Sequence, residues 1–477
     1  MAWRFVRRVR LYCAIVVCIL SLLLFVRISI VDDAMYTHAN DPPFKYSEHR
    51  TRASINTSAL SCSPLLTGEL QTIGPIDAPR TALLRQRTRA KLDHQWNQGQ
   101  HCGCRQTLME LVFGAEEYAS ADVYWSETVM QKRVLSLAHP DFSLETSKPD
   151  SITLLTQLTT SRLDALDLTA QRWAGPIIAA IYVKPKQLVE THKRLCSQLT
   201  ASQRRNMMLH LVVAEGTLYP VNWLRNLVIR NSSSEFVFMI DADFVPSAGL
   251  EAKMQLNLRL LHDPQFSDVV HGPAPVRALI VPAFEILDAS VAQLPSDKQS
   301  LLRMIDSQQA DVFHRRTFSP AHDIWQFENW RELQSSFKLS LDSCSPYAEP
   351  YVALKRSSSP FLPETLLERG KNKAAYFFEL CAADTEFTVL ADEFLIHKYH
   401  PSTRNTMGKV RQCVFPSYTV FMDYLLARNG KQTCEWWILR QFKTWWCFHN
   451  GLLLLVIALT LVLSFVCFKI QRRMAKL

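Results

Sequence analysis

The middle of this 477-residue chain carries no surplus of either charge. Residues 1–30 contain five arginines and residues 469–477 contain four basic residues, and neither stretch contains an acid. These nine residues account for the whole formal charge of +9, so residues 31–468 balance at 44 basic and 44 acidic side chains. Because no cationic excess is available to neutralise phosphates, the sequence does not predict a nucleic-acid-binding protein.

Three other features are absent. Cys102 and Cys104 lack the spacing of a zinc knuckle, and no second pair completes one. No repeat with a period of 20–50 residues is visible, so a repeat architecture is not predicted. No small-residue cleavage site follows the apolar run at residues 11–26, which therefore predicts an uncleaved signal anchor rather than a signal peptide.

Two apolar runs are present, one near each end of the chain. The first, residues 11–26, follows an arginine-rich tail, and the second, residues 451–468, lies between Trp445–Trp446 and a basic tail. An uncharged run of this length with an aromatic belt and a basic flank is typical of a transmembrane helix. The positive-inside rule places both tails in the cytosol. The intervening residues then lie in an oxidising compartment that permits disulfides, whose pairing the sequence does not reveal.

Strands and helices alternate from about residue 150. Residues 152–158, 176–183 and 207–214 have the composition of buried strands, and amphipathic stretches separate them. This spacing predicts βαβ units with right-handed crossovers and an α/β fold with a mostly parallel central sheet. The second half of the chain is less regular.

One strand of this pattern ends on two acids. In "EFVFMIDADFVP", residues 235–246, a nearly continuous apolar run is followed by Asp241 and Asp243. A strand this apolar is central, so the acids lie where it emerges, and the carboxyl ends of strands bind ligands in open α/β sheets. Two carboxylates at this spacing can bind one divalent cation, with a substrate diphosphate supplying further oxygens. The alternative is a turn that uses aspartate for conformational reasons.

The surrounding residues resemble a known family. Residues 219–250 are similar to the glycosyltransferases that include the LARGE-type enzymes and the β-1,4-glucuronyltransferase, glycosyltransferase family 49. Further segments follow in the family's order: "ITLLTQLTTSRL", "RWAGPIIAAIYV", "ALIVPAFE", "EPYVALKR", "NKAAYFFEL" and "FTVLADEFLIHKYH". The resemblance covers about residues 150–410. It implies a GT-A type fold and a metal-dependent inverting transferase that moves a sugar from a UDP-sugar to a glycan or glycoprotein acceptor.

The resemblance also implies site residues. Asp241, Asp243 and His397 become ligands of Mn²⁺ or another divalent cation, with His400 as the alternative histidine. A neutral imidazole suits Mn²⁺ better than Mg²⁺. Arg225 and Asn226 also have an alternative role in helix packing and capping. The residues expected to contact the nucleotide-sugar are Gln157, Arg162, Arg225, Asn226, Asp241 and Lys373.

The acceptor side requires a general base that takes the proton of the acceptor hydroxyl. Glu349 and Asp323 are the candidates, each with a structural role as the alternative, and His322 matches a histidine of the family. The chain departs from the family at Glu368, where a glycine is expected, and before Arg162, where an acid is more usual. Either change could alter the choice of donor or acceptor, so glucuronic acid and xylose stay candidates only.

The predicted location is the Golgi membrane, with the catalytic domain lumenal and both termini cytosolic. A dimer or a partner glycosyltransferase is left open. The predicted organisation is a cytosolic tail (1–10), a transmembrane signal anchor (11–30), a stem and N-terminal extension (31–149), a lumenal GT-A domain (150–445), a C-terminal transmembrane helix (450–468) and a second cytosolic tail (469–477).

Three alternatives stay open. A pseudoenzyme of the same fold would bind glycans or a partner transferase without turnover, although the intact Asp241, Asp243 and His397 argue against it. A two-span receptor or channel subunit fits the ends equally well, but the run at residues 451–468 offers few polar residues to line a pore. A hydrolase would use carboxylates across a cleft rather than two on one turn.

Overall fold

The structure is a computed structural model, and both predicted membrane runs and both tails lie outside the residues that it describes. No helix among the described residues is long and apolar enough to cross a membrane. The described residues are 70–97, 132–139, 141–197, 204–213, 219–263, 275–291, 293–340, 344–368, 370–400 and 407–429.

Strands and helices alternate through the first half of the described chain, as the sequence predicted. The strands are β1 (Leu70–Ile73), β2 (Lys132–Ala138), β3 (Ile152–Thr159), β4 (Ile177–Val183), β5 (Met207–Val213), β6 (Phe236–Met239), β7 (Phe244–Pro246), β8 (Arg277–Val281), β9 (Ala283–Ile286), β10 (Ala310–Val312), β11 (Phe337–Lys338), β12 (Tyr351–Lys355), β13 (Glu386–Val389) and β14 (Leu395–His397). The α-helices are α1 (Ala78–Asn97), α2 (Phe142–Thr146), α3 (Leu163–Arg172), α4 (Leu188–Ser197), α5 (Val221–Arg230), α6 (Leu250–His262), α7 (Lys298–Asp306), α8 (Arg315–His322), α9 (Phe327–Glu332), α10 (Asn372–Ala382) and α11 (Met407–Arg428).

The large sheet is mixed, which corrects the prediction of a mostly parallel one. Its ten strands have the order β1-β2-β5-β4-β3-β6-β12-β8-β13-β11. Neighbours are parallel within β5-β4-β3-β6 and between β8 and β13. The other neighbours are antiparallel. The prediction of parallel strands holds where helices connect consecutive strands of the sheet. It fails where β12 inserts between β6 and β8, because β12 is antiparallel to both.

The parallel strands are apolar because both of their faces are covered. Leu154 and Ile177 pack into the core on one face of the sheet, and their neighbours Leu155 and Ile178 pack into the core on the other. Successive side chains of a strand point to opposite faces, so a strand covered on both sides is apolar at most of its positions. This is why β4 is buried at all but one position.

Residues before 150, which the sequence assigns to the N-terminal extension, contribute two strands to the same sheet. β1 pairs with β2, and β2 pairs with β5 at the edge of the parallel block. The indole Nε1 of Trp223 donates to the Gly74 carbonyl at 3.0 Å. Arg80 donates two hydrogen bonds of 3.0 and 2.9 Å to the buried carboxylate of Glu379. The extension thereby completes the packing of the domain.

A second, four-stranded sheet has the order β10-β9-β14-β7. Its strand β7 follows the Asp pair directly, and β14 lies antiparallel to it with His397 opposite Phe244. The small sheet therefore brings the late histidine of the sequence next to the two acids. A disulfide between Cys344 and Cys381 ties the segment before β12 to α10.

A buried carboxyl group links the extension to the centre of the domain. Glu364 Oε1 accepts hydrogen bonds from the Ile76 amide at 3.1 Å and from Asn226 Nδ2 at 2.9 Å. Its other oxygen, Oε2, is buried and has no hydrogen-bond partner within the described part of the chain. Burial raises the pKa of the Glu364 carboxyl to about 7, although the hydrogen bonds from Asn226 and Ile76 act in the opposite direction.

We expect Glu364 to make the stability of the domain fall as the pH rises. Between its ordinary pKa of 4.5 and its folded value of about 7, the folded state binds more protons than the unfolded state. Stability from this group is therefore complete below pH 4.5 and lost above pH 7, a difference of about 3 kcal/mol. Glu364→Gln should match the wild type at pH 5 and unfold at a higher temperature at pH 8. The exposed Glu235→Gln is the control, and parallel pH profiles for wild type and Glu364→Gln would refute the assignment.

Candidate active site

The two acids lie beyond the carboxyl end of a central strand, as the sequence predicted. β6 ends at Met239, and Asp241 and Asp243 lie on the short connection to β7. The Ile240 amide donates to the Leu155 carbonyl, so the chain stays hydrogen-bonded to β3 until just before the first acid. The next strands in the sheet, β3 and β12, end or begin at the same edge.

Asp241 is surrounded by cations and a phenol. Its Oδ1 accepts a hydrogen bond of 2.7 Å from Arg225 Nη2. Its Oδ2 accepts hydrogen bonds from Lys373 Nζ at 2.8 Å and from the Tyr351 hydroxyl at 2.9 Å. Burial disfavours the charged carboxylate, but the charges of Lys373 and Arg225 outweigh it and hold the pKa of Asp241 below its ordinary value. Asp241 is therefore an ionised carboxylate with a partner at each oxygen.

Asp243 faces two histidines instead. Its Oδ2 lies 3.3 Å from His400 Nε2 and 3.5 Å from His397 Nε2. Ligand atoms of the three residues all lie within 4.8 Å of one another. Burial raises the pKa of Asp243, but the hydrogen bonds from both histidines outweigh it and lower the pKa below its ordinary value. The Lys398 amide donates to the Asp243 carbonyl at 3.2 Å and fixes the histidine segment over this acid.

This group has the composition of a divalent metal site. One carboxylate and two imidazoles form a mixed oxygen and nitrogen donor set, which suits Mn²⁺ better than Mg²⁺. His397, predicted as a ligand, and His400, the alternative, both belong to the group. Asp241, also predicted as a ligand, does not belong to it. The sequence could not choose between the histidines, because His397 ends β14 and His400 lies only three residues further on.

The predicted nucleotide contacts Gln157 and Arg162 lie near the same sheet edge. Gln157 Oε1 accepts a hydrogen bond from the Tyr219 hydroxyl, and the Tyr219 ring meets Tyr182 edge-on at 5.2 Å between centroids. Arg162 Nη2 lies 3.2 Å from both ring nitrogens of His400. Arg162 therefore approaches the metal group directly, while Gln157 belongs to an aromatic cluster at the end of β3.

Arg225 and Asn226, adjacent on α5, have different surroundings. Arg225 reaches Asp241, as described above. Asn226 is fully buried, and its amide bonds to both the nitrogen and the oxygen of Leu362 and to Glu364. Successive helical residues point about 100° apart, so the two side chains cannot share one direction. The hydrogen bonds of Asn226 match its alternative role in packing, and its contact with the donor stays a prediction.

The two candidate bases also differ in their surroundings. Glu349 Oε2 lies 4.0 Å from Lys373 Nζ, which places this carboxylate beside the Asp241 network. Asp323 pairs with Arg315 at 3.4 Å and accepts a hydrogen bond of 3.4 Å from the Phe327 amide at the start of α9. Burial raises the pKa of Asp323, and Arg315 opposes that effect. Glu349 therefore lies beside the Asp241 network, whereas Asp323 contacts Arg315 and the start of α9.

Sequence reasoning missed Tyr351 and Phe313. Tyr351 donates to Asp241 and accepts from Lys373 Nζ at 2.8 Å. Phe313 packs between His397 and His322, with ring centroids 5.0 and 4.7 Å away. Burial lowers the pKa of His322 well below its ordinary value, so it is a neutral imidazole in this wall. Tyr351 lies in the quoted "EPYV" segment, but an aromatic residue in a strand reads first as core.

Residues 151–217 and 212–412 match a family model described as "Glycosyl-transferase for dystroglycan". The two matched segments cover more than half of the chain. The chain therefore belongs to this family, glycosyltransferase family 49, which confirms the resemblance and the predicted enzyme class, a glycosyltransferase.

Relatives with established names support the same family. The chain is 32% identical over 252 residues to the xylosyl- and glucuronyltransferase LARGE2s of Gallus gallus, covering 53% of this chain and 32% of that protein. It is 30% identical over 266 residues to the xylosyl- and glucuronyltransferase LARGE1 of Mus musculus, covering 56% and 33%. The chain thus spans about a third of the length of the curated relatives it matches. The crystal structure of GalNAc-T7 with UDP, GalNAc and Mn²⁺ overlaps 61% of this chain and 56% of that one, with 10% identity and a TM-score of 0.36. An overlap this weak does not establish a common fold.

Proposed function

We propose that this protein is a metal-dependent inverting glycosyltransferase with a GT-A type fold that moves a sugar from a UDP-sugar to a glycan or glycoprotein acceptor. Glucuronic acid and xylose are the first donor sugars to consider, because the named relatives are xylosyl- and glucuronyltransferases. One observation carries the proposal. Asp243, His397 and His400 converge at the carboxyl end of the parallel strands. They lie beside Asp241, which is hydrogen-bonded to Arg225 and Lys373.

Each group has a role in this proposal. Asp243, His397 and His400 hold the divalent ion, which when bound supplies positive charge to offset the leaving nucleoside diphosphate. Arg162 adds a fixed positive charge beside His400. Arg225 and Lys373 keep Asp241 ionised and oriented, with both of its oxygens held.

Glu349 is the general base of the proposal. In an inverting transfer the acceptor hydroxyl attacks from the face opposite the leaving group, and a base removes its proton. Lys373 lies between Asp241 and Glu349 and keeps the two carboxylates apart while contacting both. In this position the Lys373 amine orients the base.

The proposal keeps the Golgi membrane as the location, with two spans and both termini cytosolic. The apolar runs with basic flanks at residues 11–26 and 451–468 support the two spans and the cytosolic termini, and the Golgi follows from the enzyme class alone. Epitope tags at both termini should be reached by antibody when only the plasma membrane is permeabilised. A tag protected inside the organelle would contradict this topology.

The proposal is tested by incubating the purified full chain with a panel of UDP-sugars, with and without Mn²⁺. We expect slow release of UDP from one donor of the panel in the presence of Mn²⁺. In the absence of an acceptor, water attacks the donor sugar instead and hydrolyses the UDP-sugar. Binding of UDP without turnover on any donor, even with glycan acceptors present, would instead indicate a pseudoenzyme. Absence of any metal-dependent UDP binding would overturn the proposed function.

A further inference from the structure

The loop before α10 has an unusual backbone. Glu368, Gly370 and Lys371 all have positive φ, at 55°, 124° and 58°. A side chain with a β-carbon disfavours this region, and such residues persist where the surroundings hold them in place. The resemblance to the family leads us to expect a glycine at position 368, where this chain has a glutamate. Glycine adopts this left-handed backbone readily, which explains why a glycine is expected. A glutamate at this position needs a different explanation.

The carboxylate of Glu368 holds Tyr219 by its backbone. The Tyr219 amide donates to Glu368 Oε1 at 2.6 Å, and the Glu368 amide donates to the Tyr219 carbonyl at 2.9 Å. These two hydrogen bonds join segments 149 residues apart in the chain. A glycine in place of Glu368 would retain only the second of them.

The two hydrogen bonds between Glu368 and Tyr219 affect the residues predicted to contact the nucleotide. The Tyr219 hydroxyl donates to Gln157 Oε1, which fixes the orientation of that amide. Its Nε2 then remains as a donor, since it makes no hydrogen bond within the described part of the chain. At its other end the same loop leads into α10, whose second residue, Lys373, contacts Asp241.

We infer that Glu368 is a positioning residue for the nucleotide, because its carboxylate holds Tyr219, whose hydroxyl in turn orients the amide of Gln157, the residue that the resemblance places at the donor nucleotide. The inference rests on the proposed function. Glu368 itself touches no substrate; it acts through Tyr219. Compared with the glycine that the resemblance leads us to expect, Glu368 adopts a disfavoured backbone conformation and adds a hydrogen bond to the Tyr219 amide.

The test is UDP binding to the purified full chain in the presence of Mn²⁺, measured by isothermal titration calorimetry. Glu368→Ala retains the disfavoured backbone and loses the carboxylate, so we expect the Kd for UDP to rise about five- to tenfold. Glu368→Gln retains an acceptor oxygen and should stay within about twofold. Tyr219→Phe should match Glu368→Ala, and combining the two should add little, because both break one chain of contacts.

Asp384→Ala is the matched control. Asp384 has φ of 54° at the opposite end of α10, so alanine there meets the same backbone conformation far from the nucleotide. Its Kd for UDP should equal that of the wild type. Thermal unfolding of each variant separates folding from binding, and Tyr219→Phe decides the matter if Glu368→Ala fails to fold.

The outcomes separate the inference from the function on which it rests. If the wild type binds UDP and Glu368→Ala binds it equally well, even with a lower unfolding temperature, Glu368 is only structural and the inference is overturned. If the wild type binds no UDP with Mn²⁺, the proposed function is overturned first, and the inference with it.

Discussion

Replacing Asp243 with alanine should abolish Mn²⁺ binding and reduce metal-dependent UDP release at least about a hundredfold, because removal of a single electrostatic contact at a reacting centre already has effects of that size. Asp243 is the only carboxylate of the described metal group, and its Oδ2 lies within 3.5 Å of both histidine nitrogens. Without it, two neutral imidazoles would have to hold a dication beside a diphosphate. Binding of Mn²⁺ is measured by titration calorimetry, and UDP release by a coupled assay.

The structure also predicts a ranking among the ligands. His400→Ala should weaken Mn²⁺ as much as His397→Ala, because both Nε2 atoms face the same oxygen of Asp243. Asp241→Asn should weaken Mn²⁺ less, since Arg225, Tyr351 and Lys373 already occupy its oxygens.

His262→Ala is the control for loss of a histidine, because His262 ends α6, hydrogen-bonds the Leu258 carbonyl of its own helix and packs against Phe236 rather than against the metal group. Unchanged Mn²⁺ affinity in both Asp243→Ala and His400→Ala would refute this metal site. A larger loss in Asp241→Asn than in His400→Ala would instead restore the ligand set that the sequence suggested.

The location of the Asp pair could be predicted because its signal is local. A strand that is apolar at every position must be central, and its first acids must lie beyond the sheet edge. The contacts of Asp241 with Tyr351 and Lys373 could not be predicted, because they come from β12 and α10, which are distant from it in the chain. Arg225 and Asn226 show most clearly what the sequence cannot predict. They are neighbours in one helix, yet Arg225 contacts Asp241 while Asn226 is buried in packing contacts.

The mixed sheet marks the same limit at the level of the fold. Regular helix and strand spacing fixes the direction of β3, β4, β5 and β6, because crossover helices return the chain to the same end. Nothing local in the sequence of β12 tells that it enters between β6 and β8. That insertion is nevertheless what brings Tyr351, and Glu349 two residues before it, to the site, so the acceptor side depends on a pairing that only the structure reveals.

Replacing Glu349 with glutamine should lower sugar transfer about a hundredfold to ten-thousandfold, the range expected when a general base is lost. Glutamine has the same size as glutamate. The substitution also leaves intact the hydrogen bond of 2.7 Å that the backbone amide of residue 349 donates to the Ala321 carbonyl. UDP binding should stay close to wild type, because Glu349 contacts Lys373 rather than the metal group. Transfer is measured with the donor identified by the UDP-sugar panel, and binding by calorimetry.

Asp323→Asn is the matched variant, since it removes the other candidate base in the same way. We expect a modest loss of stability and little change in transfer, because Asp323 pairs with Arg315 and supports the start of α9. The raised pKa of Asp323 follows from burial and does not require a role in proton transfer. If Asp323→Asn abolished transfer while Glu349→Gln retained it, the base would lie on the α8–α9 turn. The position of Lys373 between Asp241 and Glu349 argues for the opposite result, because only Glu349 is coupled to the carboxylate beside the metal group.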